Sequence, residues 1–228
     1  MQNFKEEFIM GYNIAIDGPA GAGKSTIAKR VAKDLGFVYV DTGAMYRALA
    51  VHFINCGVNA EDKETVISAV KDADVSIKYI DGVQHVFLNG DDVTGRLRTE
   101  EVGNMASMTS AVPEVRARLL ELQRGLAEAE DVIMDGRDIG TNILPNAELK
   151  IYLTASVDTR AMRRFKELTE KGEECDIEVI KKDIEDRDYR DMTRETAPLK
   201  QADDAHLVDS SYMNIDEVVE AIKDLYNK

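Results

Sequence analysis

Cysteine and histidine are scarce in this chain. There are two cysteines, Cys56 and Cys175, and three histidines, His52, His85 and His206, in no spacing that suits a metal. That scarcity excludes a disulfide framework and a zinc site, and it suits a reducing, cytoplasmic compartment. Basic residues are outnumbered, 29 against 43 acidic ones, for a net charge of −14. So acidic a chain lacks the basic face that grips nucleic acid or anionic lipid, and neither is expected as a partner. No apolar run approaches the ~20 residues that a membrane helix needs. Internal repeats, low-complexity tracts and Pro/Gly/Ser-rich linkers are also missing. Without a coiled-coil seam or a broad apolar stripe, a monomer is expected. Residues 1–9 are short and acidic, unlike a signal peptide, and are expected to form a disordered extension.

What remains is ordinary globular material. The 228 residues make one large domain or one and a half small ones. Five short apolar runs read as buried strands, each stopping at a polar residue: Asn13–Asp17, Phe37–Asp41, Asp131–Asp135, Leu149–Thr154 and His206–Asp209. Helical patterns separate most of them, which predicts an α/β fold with a five-stranded parallel sheet covered on both faces. Ligands in such sheets sit beyond the carboxyl ends of the strands. Asp17, Asp41 and Asp135 are therefore expected to point into one cleft. Lys24 opens a helix whose apolar stripe runs through Ile27, Val31 and Leu35 and stops at Gly36. Pro113 opens another. Between them, Val75–Ile80 and Val83–Leu88 alternate around Asp81-Gly82, a hairpin signal. Residues about 67–107 thus read as a small inserted antiparallel subdomain within a core of residues 1–66 and 108–228.

The strongest chemical signal is Gly18-Pro19-Ala20-Gly21-Ala22-Gly23-Lys24-Ser25, followed by Thr26. It matches G-x-x-x-x-G-K-[ST], the P-loop that binds nucleoside triphosphates. Glycines let successive backbone N–H groups converge on phosphate, and the following helix adds its positive end. Lys24 can reach the β- and γ-phosphates, and Ser25 can ligate Mg²⁺. The strand ending at Asp135 supplies a carboxylate for the metal, directly or through water.

A chain this acidic nevertheless places arginines where a cleft must lie. Arg47 and Arg137 follow strand ends. Arg116 sits on the Pro113 helix. Arg160, Arg163 and Arg164 follow the fourth strand. Arg187, Asp191 and Arg194 are spaced four and three, so they are expected to share one helix face. Guanidinium suits bidentate phosphate contacts, so these residues imply a second anionic substrate across from the P-loop. No nucleophile or general base stands out. A phosphate acceptor needs none, since it is already an oxyanion, and catalysis reduces to aligning and neutralising two anions.

Together the P-loop, Asp41-Thr-Gly-Ala-Met-Tyr-Arg47, Arg98-Thr-Glu-Glu-Val102, Asp135-Gly-Arg-Asp-Ile-Gly-Thr141, Arg187-Asp-Tyr-Arg-Asp191 and Arg194 through Leu199 resemble the cytidylate kinases of bacteria, a branch of the nucleoside monophosphate kinases. The likeness covers nearly the whole chain from about Tyr12. It implies a P-loop kinase that transfers the γ-phosphate of ATP to CMP or dCMP with Mg²⁺. It also implies that Lys24, Arg137, Arg160, Arg164 and Arg194 act in catalysis. Arg47, Arg137 and Arg194 would bind phosphates, and Ser107, Arg116 and Asp138 the cytosine. Arg187 and Asp191 would approach the sugar, with Thr42 and Tyr46 beside the monophosphate, and a helical lid would span about 155–197. The alternative is a P-loop kinase for another small acceptor, UMP or a shikimate-like alcohol. A GTP-dependent switch would need an Asn-Lys-x-Asp guanine reader, and the chain has none.

Overall fold

In the computed structural model of the chain, residues 11–228 are described. The expectation for residues 1–9 lies outside them. The chain runs β1 (Asn13–Asp17), α1 (Lys24–Leu35), β2 (Val38–Asp41), α2 (Thr42–Asn55), α3 (Lys63–Val70), β3 (Val75–Ile80), β4 (Val83–Leu88), β5 (Asp91–Asp92), α4 (Glu100–Thr109) and α5 (Pro113–Ala129). It continues with β6 (Val132–Gly136), β7 (Leu149–Thr154), α6 (Val157–Glu170), α7 (Ile177–Thr193), β8 (His206–Asp209) and α8 (Ile215–Tyr226). The five expected strands are all present; the second starts one residue late, and the third is shifted by one residue at both ends. The second starts at Val38 because the Phe37 N–H still closes the end of α1, on Ala32 O at 2.9 Å.

The strand order is β2-β6-β1-β7-β8, with every pairing parallel. Alternation along the strands divides the core into two layers. Ile14, Ile16 and Ile133 pack with Ile27 and Val31 of α1 and Val218 and Ile222 of α8. Ala15, Val132 and Met134 face the other way, against Met45 and Leu49 of α2 and Leu119 of α5. Full burial of each large aliphatic side chain contributes about 1.5–3 kcal/mol, so the two layers hold the central strands rigidly. The carboxyl ends of β1, β2 and β6 are thereby fixed side by side.

The helix ends follow the sequence. Gly36 takes φ 75° and returns its N–H to Ala32, as a left-handed stop should. Pro113 occupies the first turn of α5. The hairpin β3–β4 turns at Asp81 and Gly82, both with positive φ (51° and 74°), the conformation of a type I′ turn. With β5 it forms a separate antiparallel sheet. That sheet is anchored at the tip of β2, where the Gln84 amide donates to Asp41 O at 3.2 Å and accepts from Asp41 N at 2.8 Å. Helices α6 and α7 pack together over a small core of their own, Ala161, Ile180 and Ile184.

Candidate active site

A single cleft of about 930 Å³ opens at the carboxyl ends of β2 and β6 and runs from the P-loop to α4 and α5. At one end the loop between β1 and α1 wraps tightly. A side chain at Gly18 would put Cβ 1.9 Å from Leu153 O, and Gly23 caps α1 in the left-handed region at φ 90°. Both positions therefore require glycine. Gly21 through Thr26 line the cleft, while Gly18, Pro19 and Ala20 lie behind them. Lys24 is buried and folds over the loop, donating to Gly18 O and Pro19 O at 2.8 Å each. Burial lowers its pKa to about 7, and the nearby Arg137 adds to the effect.

Beside the loop, Ser25 Oγ donates to Asp135 Oδ2 at 3.1 Å and Tyr39 Oη donates to Asp135 Oδ1 at 2.8 Å. Burial, then the neighbouring Asp41, raises the Asp135 pKa to about 6. Burial and the two aspartates push the Tyr39 phenol up, so it remains a donor. Among the described residues no group of three or more His, Cys, Asp or Glu could hold a metal. Ser25 and Asp135 supply only two hard oxygens. That set suits Mg²⁺, which takes most of its ligands from substrate phosphate and water.

The other end is made of side chains. Thr42 lies beneath β6, its Oγ1 donating to Asp135 O at 2.7 Å. Arg47 lines the cleft beside Arg98 and Arg137. Arg98 donates to Asp41 Oδ2 at 3.0 Å and Arg137 to Asp191 Oδ2 at 2.8 Å. Among the described residues Arg47 has no carboxylate within ion-pair distance, and burial lowers its pKa. Three guanidiniums converging with one unpaired form a site for a dianion. Deeper in, Asp138 accepts from Arg116, from Arg194 Nη2 at 3.4 Å and from Asn142 Nδ2 at 3.2 Å. Arg116 also lies over the Tyr46 ring, 5.5 Å from its centroid. The Ser107 hydroxyl lines this part of the cleft, buried and without a partner among the described residues, which calls for a ligand.

On the remaining wall, Arg187 lines the cleft and donates to Asn104 Oδ1 at 2.8 Å. Arg164 lines it too, paired with Glu167 at 2.9 Å. Arg160 also lines the cleft but is buried, and its guanidinium is engaged with Ala20 O, Ala155 O and Asp188.

Two expectations fail. Asp17 does not face the cleft: its two oxygens accept from Ile139 N and Gly140 N at 2.7 Å each, beneath the π-helical turn Ile139–Ile143. Burial raises its pKa to about 6 in spite of those bonds. Arg194 lines the same cleft as Arg187 and Asp191, with Nη1 3.8 Å from Asp191 Oδ1, but it is not part of their helix. It is the C-cap of α7 in extended conformation, and its guanidinium reaches forward to Ala197 O at 2.6 and 2.8 Å. Ala197, at φ 48° before Pro198, turns the chain back to make this possible.

Several cleft residues had no assigned role in the sequence reading. Ser110 accepts from Arg116 and Arg194. Tyr39 fixes Asp135. Arg163 donates to Ser210 O at 2.7 Å. For Arg163 the arginine surplus was a signal; nothing in the local pattern marks Ser110 or Tyr39.

The chain matches the family model described as cytidylate kinase over residues 14–228. A curated cytidylate kinase of Caldicellulosiruptor bescii is 50% identical over 216 residues, 95% of this chain and 96% of that one. Another, of Geobacillus kaustophilus, is 49% identical with the same coverage. A solved structure of an uncharacterized protein from Eubacterium ventriosum has a TM-score of 0.54 at 13% identity, covering 95% of this chain and 99% of that one. That last likeness is one of fold alone.

Proposed function

The chain belongs to the cytidylate kinase family, and on that premise we propose that it transfers the γ-phosphate of ATP to CMP or dCMP, giving CDP or dCDP. The observation that carries this reading is the single cleft joining a phosphate-binding backbone loop to a buried arginine cluster and an unpartnered Ser107 hydroxyl. A triphosphate and a monophosphate nucleotide fit the two ends with their phosphates meeting between.

In this reading the P-loop N–H groups hold the ATP phosphates, and Lys24 leaves its backbone acceptors to stabilise charge on the transferring group. Arg47, Arg137 and Arg194 neutralise the acceptor phosphate, with Thr42 and Tyr46 beside it. Arg187 and Asp191 approach the sugar. Ser25 and Asp135, the latter directly or through water, would hold Mg²⁺, which would supply neutralisation of phosphate charge. Helices α6 and α7, within a lid of about residues 155–197, close over the donor and bring Arg164 toward it, excluding water. The insert of about residues 67–107 contributes Ser107.

Base choice follows from the partners of Asp138. A carboxylate offers about four acceptor sites, and Arg116, Arg194 and Asn142 use three. The cytosine amine takes the fourth, while Arg116 donates to the ring nitrogen and carbonyl. Uracil would set a carbonyl against the carboxylate and an N–H against the guanidinium, and such buried mismatches are costly. A coupled assay offering CMP, UMP, AMP and shikimate tests the proposal. CMP should be preferred by a wide margin, and equal or faster turnover of any other acceptor would refute it.

A further inference from the structure

Arg160 and Asp188 lie on different helices, α6 and α7, and both are buried (4% and 7% exposed). Arg160 Nη1 stands 2.7 Å from Asp188 Oδ2. The pair encloses one residue of the P-loop. Arg160 Nη1 donates to Ala20 O at 2.8 Å, and Ala20 N donates to Asp188 Oδ1 at 3.3 Å. A third bond, from Arg160 Nε to Ala155 O at 2.9 Å, secures the arginine against the end of β7. The approach is close: a Cβ at Gly21 would come 3.4 Å from Arg160 Cβ.

An ion pair that served only to join two helices could lie anywhere along them. This one directs its other hydrogen bonds to both backbone groups of Ala20, just before the segment that lines the cleft. That segment has no ladder of its own until α1 begins at Lys24, and a loop tracing tight left-handed turns holds one shape only if something outside fixes it. The neighbours on α7 face elsewhere. Arg187 reaches Asn104 of α4 and Asp191 reaches Arg137. Among the described residues, Asp188 is the α7 side chain that hydrogen-bonds the donor loop.

We propose that Arg160 and Asp188 are a positioning pair that holds the P-loop in the shape that receives the triphosphate, so that the α6–α7 helix pair and the donor site become ordered together. The inference rests on the reading of the P-loop as the ATP site. It gives Arg160 a part played through the loop backbone instead of contact with the transferring phosphate.

The test compares wild type with Asp188→Asn and with the double variant Arg160→Met/Asp188→Leu. The double variant removes both charges and leaves neither buried alone, a replacement that folded proteins tolerate. The readouts are Tm, KM for ATP and for CMP, and the Kd of a fluorescent ATP analogue without acceptor. The double variant should unfold cooperatively near the wild-type Tm, with KM for CMP within about twofold and donor KM and Kd raised by roughly tenfold or more. Asp188→Asn keeps an acceptor for Ala20 N and should rescue part of that loss. Should the double variant not fold, Asp188→Asn decides on the same readouts. Unchanged donor binding in a folded variant would overturn the proposal, and so would equal rises in KM for both substrates, the mark of lid packing alone. If wild type itself failed to bind the analogue, the ATP-site reading would fall and the positioning role with it.

Discussion

The two ends of the cleft are built from different materials. In the proposed reading the donor end is one contiguous loop, Gly18–Ser25, which offers backbone N–H groups and a single lysine. The acceptor end gathers side chains from α2, α4, α5, the turn after β6 and the cap of α7. An array of backbone N–H groups reads charge and little else. A set of fixed side-chain donors and acceptors can read the edge of a base. The division implies that the donor end governs the rate of transfer and the acceptor end governs what is phosphorylated.

Substitutions at the two ends should therefore fail in different ways. The largest effect belongs to the donor end. Lys24→Met should lower kcat by about 10²–10³-fold, the loss typical of one preorganised charge contact, with KM for CMP little changed. Steady-state kinetics at saturating ATP and CMP would show it, and near-normal kcat would remove this loop from the chemistry.

Arg47→Met comes next, at the acceptor end. Losing a charge-assisted contact worth about 1.5–3 kcal/mol should raise KM for CMP by about 10–10²-fold. The free protein should unfold at the same or a higher temperature, because a half-buried guanidinium crowded by Arg98 and Arg137 is gone. A drop in both affinity and Tm would mean that Arg47 is structural.

The smallest effect is in stability against pH. Asp17 and Asp135 have folded pKa values raised to about 6, against about 3.9 in an unfolded chain. Between those values the folded state binds more protons than the unfolded one. This contribution is fully present below about pH 4 and is lost as pH rises through about 6. Urea melts of ligand-free protein across that window should show a slope less negative in Asp135→Asn than in wild type, by at most about 1.4 kcal/mol per pH unit. An identical slope would mean that Asp135 ionises normally.

The same contrast explains what could be read in the sequence. The donor loop is contiguous, so its residue types and spacing announce its chemistry, and the flanking strand and helix ends fall where the apolar pattern places them. Gly36 and the Asp81-Gly82 turn are legible for the same local reason. The acceptor end was readable only as a surplus of arginine together with a family resemblance. Its pairings join residues far apart: Arg137 with Asp191, Arg98 with Asp41, Arg116 with Asp138. No periodicity shows that Asp17 turns under the Ile139 turn, or that Arg194 leaves the helix because Ala197 folds back to meet it. Arg160 is the sharpest case. Its type and place suggested a cleft cation, and it does line the cleft, but no spacing announced its bond to Ala20 O, 140 residues earlier.

The most direct test of the division is the ratio of kcat/KM for CMP to that for UMP, measured in wild type, Lys24→Met and Asp138→Asn. Lys24→Met should slow both acceptors and leave the ratio unchanged. Asp138→Asn presents an amide donor where the base meets a carboxylate, so the ratio should shrink at least about tenfold, roughly 1.4 kcal/mol. A ratio that Asp138→Asn leaves intact, or that Lys24→Met alters as strongly, would contradict the assignment of selection to one end and catalysis to the other.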